Sequence, residues 1–317
     1  MPRSDRPAPR APSTPGPHPH PPAPSTPVLD APAPRALLVR ALDAPGPTLV
    51  VRAGELPAGV LGLSSQLARL GLDPGRGTDP RKIALYGPGE DGGLRYRFVQ
   101  ALPDGRFDFR AGCGHSLLAC VVAEGRPGPV TVRALTTGDT VLCEPEREPG
   151  TYTLHFLRAP DAPGTLPTGR PRDRLLGVPV TLVRYGNPYV FVDVRRLAPG
   201  PVRPQLLALR AEAARLLGHP PHSALPKIAA VEATPGGLAV RALTVGGWHP
   251  RLALTGAAAL AAAGALDGTV VPPVRQPVRT PGGTVTVLAG ADRVSVRHKR
   301  AAVLGSRPLP WRIHATA

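Results

Sequence analysis

Aromatic side chains make up 4% of this 317-residue chain, which leaves few platforms on which nucleic-acid bases could stack. Lysine is nearly missing. Only Lys82, Lys227 and Lys299 occur, so 38 − 3 = 35 of the cationic side chains are arginine. The formal net charge of +16 therefore rests on arginines scattered through a chain rich in Ala, Pro and Gly. That composition resembles the codon bias of a GC-rich genome. Its plain reading is solvated surface charge, and its functional alternative is a basic funnel for an anionic substrate. Cysteine occurs three times, as Cys113, Cys120 and Cys143, with no Cys-x-x-Cys pair. An odd count without a secretory signal argues against a disulfide framework. His18 and His20 lie among prolines where a metal cage is implausible, so no metal site is expected. No stretch of 18 or more apolar residues lacks charge, so no membrane-spanning helix is expected. The expectation is a cytoplasmic protein without nucleic-acid or membrane partners.

Proline and glycine are abundant, and proline is concentrated at the front. Residues 1–35 hold 13 prolines and almost no large apolar side chains, too little to offset the entropy of ordering. They read as a disordered arm. After it the chain repeats itself. Pro47-Thr48-Leu49-Val50-Val51 returns as Pro188-Tyr189-Val190-Phe191-Val192, and Lys82-Ile83-Ala84 as Lys227-Ile228-Ala229. Gly114 opens a small-residue apolar stretch, and so does Gly256. The offsets are 188 − 47 = 141, 227 − 82 = 145 and 256 − 114 = 142. Three matches in one order at nearly constant offset argue for an internal duplication giving two similar halves, residues 36–170 and 171–317, with the C-terminal end free to pack back on the first.

Alternating or short apolar runs predict strands at Ala36–Arg40, Thr48–Arg52, Lys82–Tyr86, Leu94–Ala101, Arg106–Arg110, Val130–Ala134, Thr140–Cys143 and Thr151–Phe156. A short helix is expected at Gln66–Leu72. The second half predicts strands at Val178–Arg184, Tyr189–Val194, Ile228–Ala233, Leu238–Thr244, Thr284–Ala289 and Arg293–Arg297, and a helix at Pro204–Leu217. Two further helices, Gly114 to Ala123 and Gly256–Ala265, are apolar on nearly every face and should be buried. Many strands around one buried helix per half is an α+β plan rather than an alternating one: two pseudo-symmetric domains, each a curved, mostly antiparallel sheet wrapped around a central helix.

The halves differ at one chemical position. Cys113 precedes the first helix glycine and Thr255 the second. A thiol flanked by Gly112 and Gly114 at a helix start meets free amides and the positive end of the helix dipole, which favour a thiolate or a bound carboxylate. Cys120 and Cys143 lie in apolar elements and read as core thiols. Thr255 reads either as a helix cap or, with the Gly256 and Ala257 amides, as a carboxylate contact, with His249 and Arg251 just upstream.

These residues resemble the PrpF family, whose type member isomerises 2-methylaconitate, within the diaminopimelate epimerase-like fold. The similarity rests on Arg81-Lys82-Ile83-Ala84-Leu85, on Phe98-Val99-Gln100 followed by Cys113-Gly114-His115, on Leu166-Pro167-Thr168-Gly169, on Gly186-Asn187-Pro188-Tyr189-Val190-Phe191-Val192, and on His249-Pro250-Arg251 with Thr255-Gly256-Ala257. It covers about residues 36–305. The resemblance implies a cofactor-independent, metal-free isomerase that moves a proton across an allylic system in an unsaturated di- or tricarboxylate. Cys113 and Lys82 are then the proton-transfer pair. Gly114, His115, Ser116, Thr255, Gly256, Ala257, His249, Arg251, Thr168 and Asn187 are then the substrate contacts. A homodimer is left open. The chain departs from the family at Arg40-Ala41-Leu42-Asp43-Ala44-Pro45-Gly46-Pro47, where a Gly-rich loop is expected, at His115 in place of Asn, and at Thr280-Pro281-Gly282-Gly283, which loses a serine hydroxyl. All three imply a changed substrate. The alternatives are an epimerase or racemase of specialised metabolism and a catalytically inactive binding relic.

Overall fold

The computed structural model describes residues 35–54, 60–72, 80–220, 223–244 and 247–309. The Pro-rich segment lies outside the described residues except at Arg35, which opens the first strand and donates to the Ser306 hydroxyl at 2.6 Å.

The first half runs β1 (Arg35–Ala41), β2 (Thr48–Arg52), α1 (Val60–Ala68), β3 (Lys82–Pro88), β4 (Leu94–Ala101), β5 (Phe107–Asp108), α2 (Gly114–Glu124), β6 (Val130–Ala134), β7 (Thr140–Pro145) and β8 (Thr151–Phe156). The second runs β9 (Asp173–Leu175), β10 (Val178–Tyr185), β11 (Asn187–Asp193), α3 (Val202–Leu216), β12 (Lys227–Thr234), β13 (Gly237–Thr244), β14 (Gly247–Trp248), α4 (Leu254–Gly264), β15 (Val278–Thr280) and β16 (Gly283–Val285). The last strands, β17 (Val287–Ala289) and β18 (Val294–Pro308), return to the first sheet.

The connections of the first half recur in the second. β2 and β3 pair in parallel with Thr48 opposite Lys82; β11 and β12 pair in parallel with Tyr189 opposite Lys227. Both crossovers carry a helix, α1 and α3. β4 then pairs antiparallel to β3 and parallel to β6, as β13 does with β12 and β15. The architecture is α+β, with two pseudo-symmetric, mostly antiparallel sheets, each holding a central helix.

Side-chain alternation explains how each sheet carries two layers of helix. Along β3, Ala84 and Tyr86 point to the core around α2, while Ile83 and Leu85 point to the outer core under α1. Along β11, Tyr189 and Phe191 face the central core, while Val190 and Val192 meet Leu206, Leu209 and Ala213 of α3. The central helix α4 is buried from end to end because it offers only Leu, Thr, Ala and Gly to close neighbours. A Cβ on Gly264 would sit 2.8 Å from the Pro272 carbonyl oxygen.

The first sheet closes on itself through β18, which pairs with β8 up to Arg300 and with β1 from Ala301 onward. A bulge between Val296 and Lys299 marks the handover. His298 takes φ 57 there, and the Glu146 carboxylate holds its backbone N–H at 2.8 Å and its ring Nδ1 at 2.7 Å.

Four elements differ from the sequence reading. The first helix runs Val60–Ala68, beginning a turn and a half before Gln66 and ending short of Leu72, with Leu63 and Leu67 as its buried i, i+4 pair. α4 begins at Leu254 with Ala253 as its N-cap, so Thr255 lies inside the first turn and does not cap. The run Thr284–Ala289 splits, β16 pairing in the second sheet and β17 in the first. The last strand extends to Pro308 because β1 offers it a second partner.

Candidate active site

The N-termini of α2 and α4 meet between the two sheets. A Cβ on Gly114 would lie 2.6 Å from Leu254 Cδ2, so only glycine permits the approach. On the other helix, a Cβ on Gly256 would lie 2.5 Å from the Tyr189 hydroxyl. The first intrahelical bonds run from Leu117 N–H to the Cys113 carbonyl and from Ala257 N–H to the Ala253 carbonyl. The amides of residues 114–116 and 254–256 precede them and have no partner within their own helices.

Asn187 fastens the two halves at this point. Its side-chain oxygen accepts from the Gly112 N–H at 2.7 Å, and its amide donates to the Gly112 carbonyl at 2.8 Å and to the Thr255 hydroxyl at 3.3 Å. The Cys113 carbonyl is held from the opposite side by the Tyr96 hydroxyl at 3.0 Å. Cys113 itself has extended backbone angles, and its thiol makes no capping bond. It is half-buried and free.

Cys113 opens on a cavity of about 340 Å³ lined also by Lys82, Gly114, His115, Asn187, Lys227, His249 and Thr255. Phe98, Gln100, Arg81 and Trp248 complete much of its wall, and among the described residues no carboxylate side chain lines it. That volume falls within the range of small-molecule sites. Lys82 donates to the Gly46 carbonyl at 2.9 Å. Burial pulls its ammonium below the ordinary lysine value, with Arg40 adding to the shift and Cys113 opposing it. Burial likewise pushes Lys227 down to about 8, helped by Arg210 and opposed by Cys113 and Asp108.

The two imidazoles stack at 6.3 Å between centroids, 16° from parallel. His115 is 3% exposed, its Nε2 has no hydrogen-bond partner, and burial with the charges of Lys82, His249 and Lys299 holds it far below the usual imidazole value. His249 is pushed down to about 4, mainly by burial and by Lys82. Its Nδ1 accepts the Arg251 N–H at 3.1 Å, so its proton sits on Nε2. Near neutral pH both rings are uncharged.

The structure thus gathers Cys113, Lys82, Gly114, His115, Asn187, His249 and Thr255 around one cavity. It leaves five of the sequence candidates out of the lining. Ser116 is fully buried, with its hydroxyl 2.9 Å from that of Thr48. Gly256 lies against Tyr189, and Ala257 is in the core. Thr168 donates to the Asp173 carboxylate at 2.7 Å. Arg251 pairs with Asp43 at 3.0 Å, and the same carboxylate holds the buried Lys299 at 2.7 Å. This last trio pins the 43–47 loop whose Gly46 carbonyl receives Lys82. Lys227, Arg81, Gln100 and Trp248 were not singled out as site residues from the sequence. For Lys227 the signal is the repeated Lys-Ile-Ala, which sets it at the position of Lys82 in the second half. Among the described residues no cluster of His, Cys, Asp and Glu is placed to hold a metal ion, and no helix is long and apolar enough to cross a membrane.

No protein-family profile and no curated protein sequence matches the chain. Solved structures do match it in shape. Methylitaconate-delta-isomerase superposes with a TM-score of 0.59 at 20% identity, over 86% of this chain and 94% of that one. A hydroxyproline epimerase from Agrobacterium vitis, with trans-4-hydroxy-L-proline bound, gives 0.57 at 17% identity over 86% and 91%. A probable proline racemase from Agrobacterium radiobacter gives 0.54 at 15% identity over 86% and 92%. At such identities the likeness is one of fold: the chain has the two-domain, diaminopimelate epimerase-like α+β architecture expected from its sequence.

Proposed function

We propose that this protein is a cofactor-independent isomerase that moves a proton across an allylic system in an unsaturated di- or tricarboxylate. The observation that carries the reading is the lining of the cavity. A thiol and two lysines sit with the free first-turn amides of two helices and with neutral imidazoles, and among the described residues no carboxylate joins them. Such a lining attracts a polyanion. One substrate carboxylate placed against the amides of α2 is held by hydrogen bonds that strengthen as its α-carbon loses a proton and charge develops on the oxygens. Neutral His249, with its proton on Nε2, adds a donor that costs no net charge. Cys113 and Lys82 are the proposed acid–base pair acting on the allylic proton next to the bound carboxylate.

The isomerase and epimerase likenesses agree with proton-transfer chemistry at carbon. A racemase working through paired thiols is disfavoured by Thr255, which precedes Gly256 as Cys113 precedes Gly114, lines the same cavity and is too weak a base. The test is a screen of unsaturated di- and tricarboxylates, aconitate and mesaconate among them, followed by NMR for movement of the double bond. The proposal expects one of them to isomerise with wild-type protein and none with Cys113→Ser. Stereoinversion of a saturated amino or hydroxy acid instead would replace it with the epimerase reading.

A further inference from the structure

The chain has three lysines, and two are engaged: Lys82 on the Gly46 carbonyl and Lys299 on Asp43. Lys227 differs. It lines the cavity, yet no hydrogen bond or ion pair to its ammonium is present among the described residues. Its side chain is half-buried at the start of β12, and an ammonium drawn partly out of water without a protein partner is costly. Its backbone, by contrast, is firmly placed. Arg210 of α3 donates to the carbonyls of Ser223, Leu225 and Pro226, the residues leading into β12, the last of these at 2.9 Å. Lys227 then pairs across the parallel ladder with Tyr189, as Lys82 does with Thr48. The two lysines therefore occupy equivalent ladder positions in the two sheets and enter one cavity from different sides. Cys113 interacts electrostatically with both.

We propose that Lys227 is a third proton-transfer group, the one that delivers the proton at the far end of the allylic system; this rests on the isomerase reading above. In the forward step a base on the Cys113–Lys82 side takes a proton from the carbon next to the bound carboxylate. That C–H bond breaks and its electron pair spreads over the dienolate. The distal carbon then forms a C–H bond with a proton from the Lys227 ammonium, whose N–H bond electrons return to nitrogen as a neutral amine. The double bond has moved, and the substrate has lost one proton and gained one. Solvent takes the proton from the first group and restores it to Lys227. The reverse reaction exchanges the roles. A lysine poised to give up its proton serves this step, and its surroundings are those that make it so: burial and Arg210 against Cys113 and Asp108.

The experiment compares wild type with Lys227→Ala and Lys227→Arg on an acid that wild type isomerises, in heavy water. Lys227→Ala is expected to lose about 10²–10⁴-fold in isomerisation while still exchanging deuterium at the carbon next to the carboxylate. Added primary amines should restore isomerisation with a rate that depends on amine basicity. Lys227→Arg keeps the charge but cannot shed a proton, so it should stay as slow as Lys227→Ala. Turnover by Lys227→Arg within threefold of wild type would reduce the residue to a carboxylate contact, and Lys227→Ala at the wild-type rate would remove it from the reaction. Urea midpoints equal to or above that of wild type show that the variants fold. A panel on which wild type shows neither isomerisation nor exchange counts against the isomerase reading. Lys227 is then tested by ¹³Cε-lysine NMR, where three resonances, assigned by substitution, report three lysines. Titration near pH 8 that moves when a tricarboxylate is added supports a proton-donating lysine facing the ligand. Titration at the ordinary lysine value overturns it.

Discussion

Asn187 makes the sharpest demand on the architecture, because one side chain holds the Cys113 loop of the first half against the helix start of the second. It is 2% exposed, and two of its bonds go to the N–H and C=O of the same residue, Gly112. Asn187→Ala removes both and leaves two backbone groups without partners. A buried polar group left unpaired costs about 1–3 kcal/mol. Gly112 also borders the cavity, where water can reach it, so the lower part of the doubled range applies: about 2–4 kcal/mol of unfolding free energy. At ~2–4 °C per kcal/mol for a domain of ~150–250 residues, the melting temperature should fall by about 4–16 °C. Asn187→Asp should be no better. One oxygen can still accept from Gly112 N–H, but the other then faces the Gly112 carbonyl. Urea denaturation gives the free energies, and amide exchange reads the cause: the Gly112 N–H should be protected in wild type and exposed in both variants. A loss below roughly 0.5 kcal/mol, the scatter of neutral surface changes, or unaltered protection at Gly112, would refute the reasoning.

Gly114→Ala forces a methyl to within 2.6 Å of Leu254 Cδ2 and 2.9 Å of its Cβ, so overpacking should cost about 1–3 kcal/mol, and the double variant with Leu254→Ala should recover part of it. Iodoacetamide should label Cys113 first, since Cys120 and Cys143 are fully buried in surroundings that push both thiols well upward; peptide mass spectrometry after limited labelling decides, and earlier labelling of Cys120 would contradict the site. His249 stays neutral in the folded protein down to about pH 4, while in the unfolded chain it takes a proton near pH 6.5. The unfolded state then binds more protons, so stability is full above about pH 6.5 and is lost as pH falls towards 4, by up to about 3 kcal/mol from this group. His249→Asn should flatten that stretch of the stability–pH curve, and an equally steep curve would show that other groups cause it.

Much of the plan could be read before any coordinates, and the reasons are local. The repeat announced two halves of similar plan, and the parallel pairs β2–β3 and β11–β12 occupy matching places in them. The Ala- and Gly-rich helices declared their burial by having no polar face. Cys113 was legible from two glycines and a helix start. What could not be read depended on partners distant in sequence. Arg251 was a carboxylate contact on paper until Asp43 claimed it. Asn187 lines the cavity, but nothing local shows that its amide also fastens Gly112, 75 residues away. Thr255 read as a cap because nothing local shows that Leu254 can begin the helix. Lys227 carries no local sign of a site, and only the meeting of the two sheets puts it in a cavity.

The central claim is proton transfer at carbon by groups beside Cys113, and deuterium tests it directly. Wild type and Cys113→Ser are incubated in heavy water with the unsaturated di- and tricarboxylates, and the carbon next to each carboxylate is followed by NMR. The account predicts that wild type incorporates deuterium into at least one of these acids and that Cys113→Ser, folded to the same urea midpoint, slows the incorporation by several orders of magnitude. Incorporation at an equal rate in the two proteins, or in neither, would contradict it.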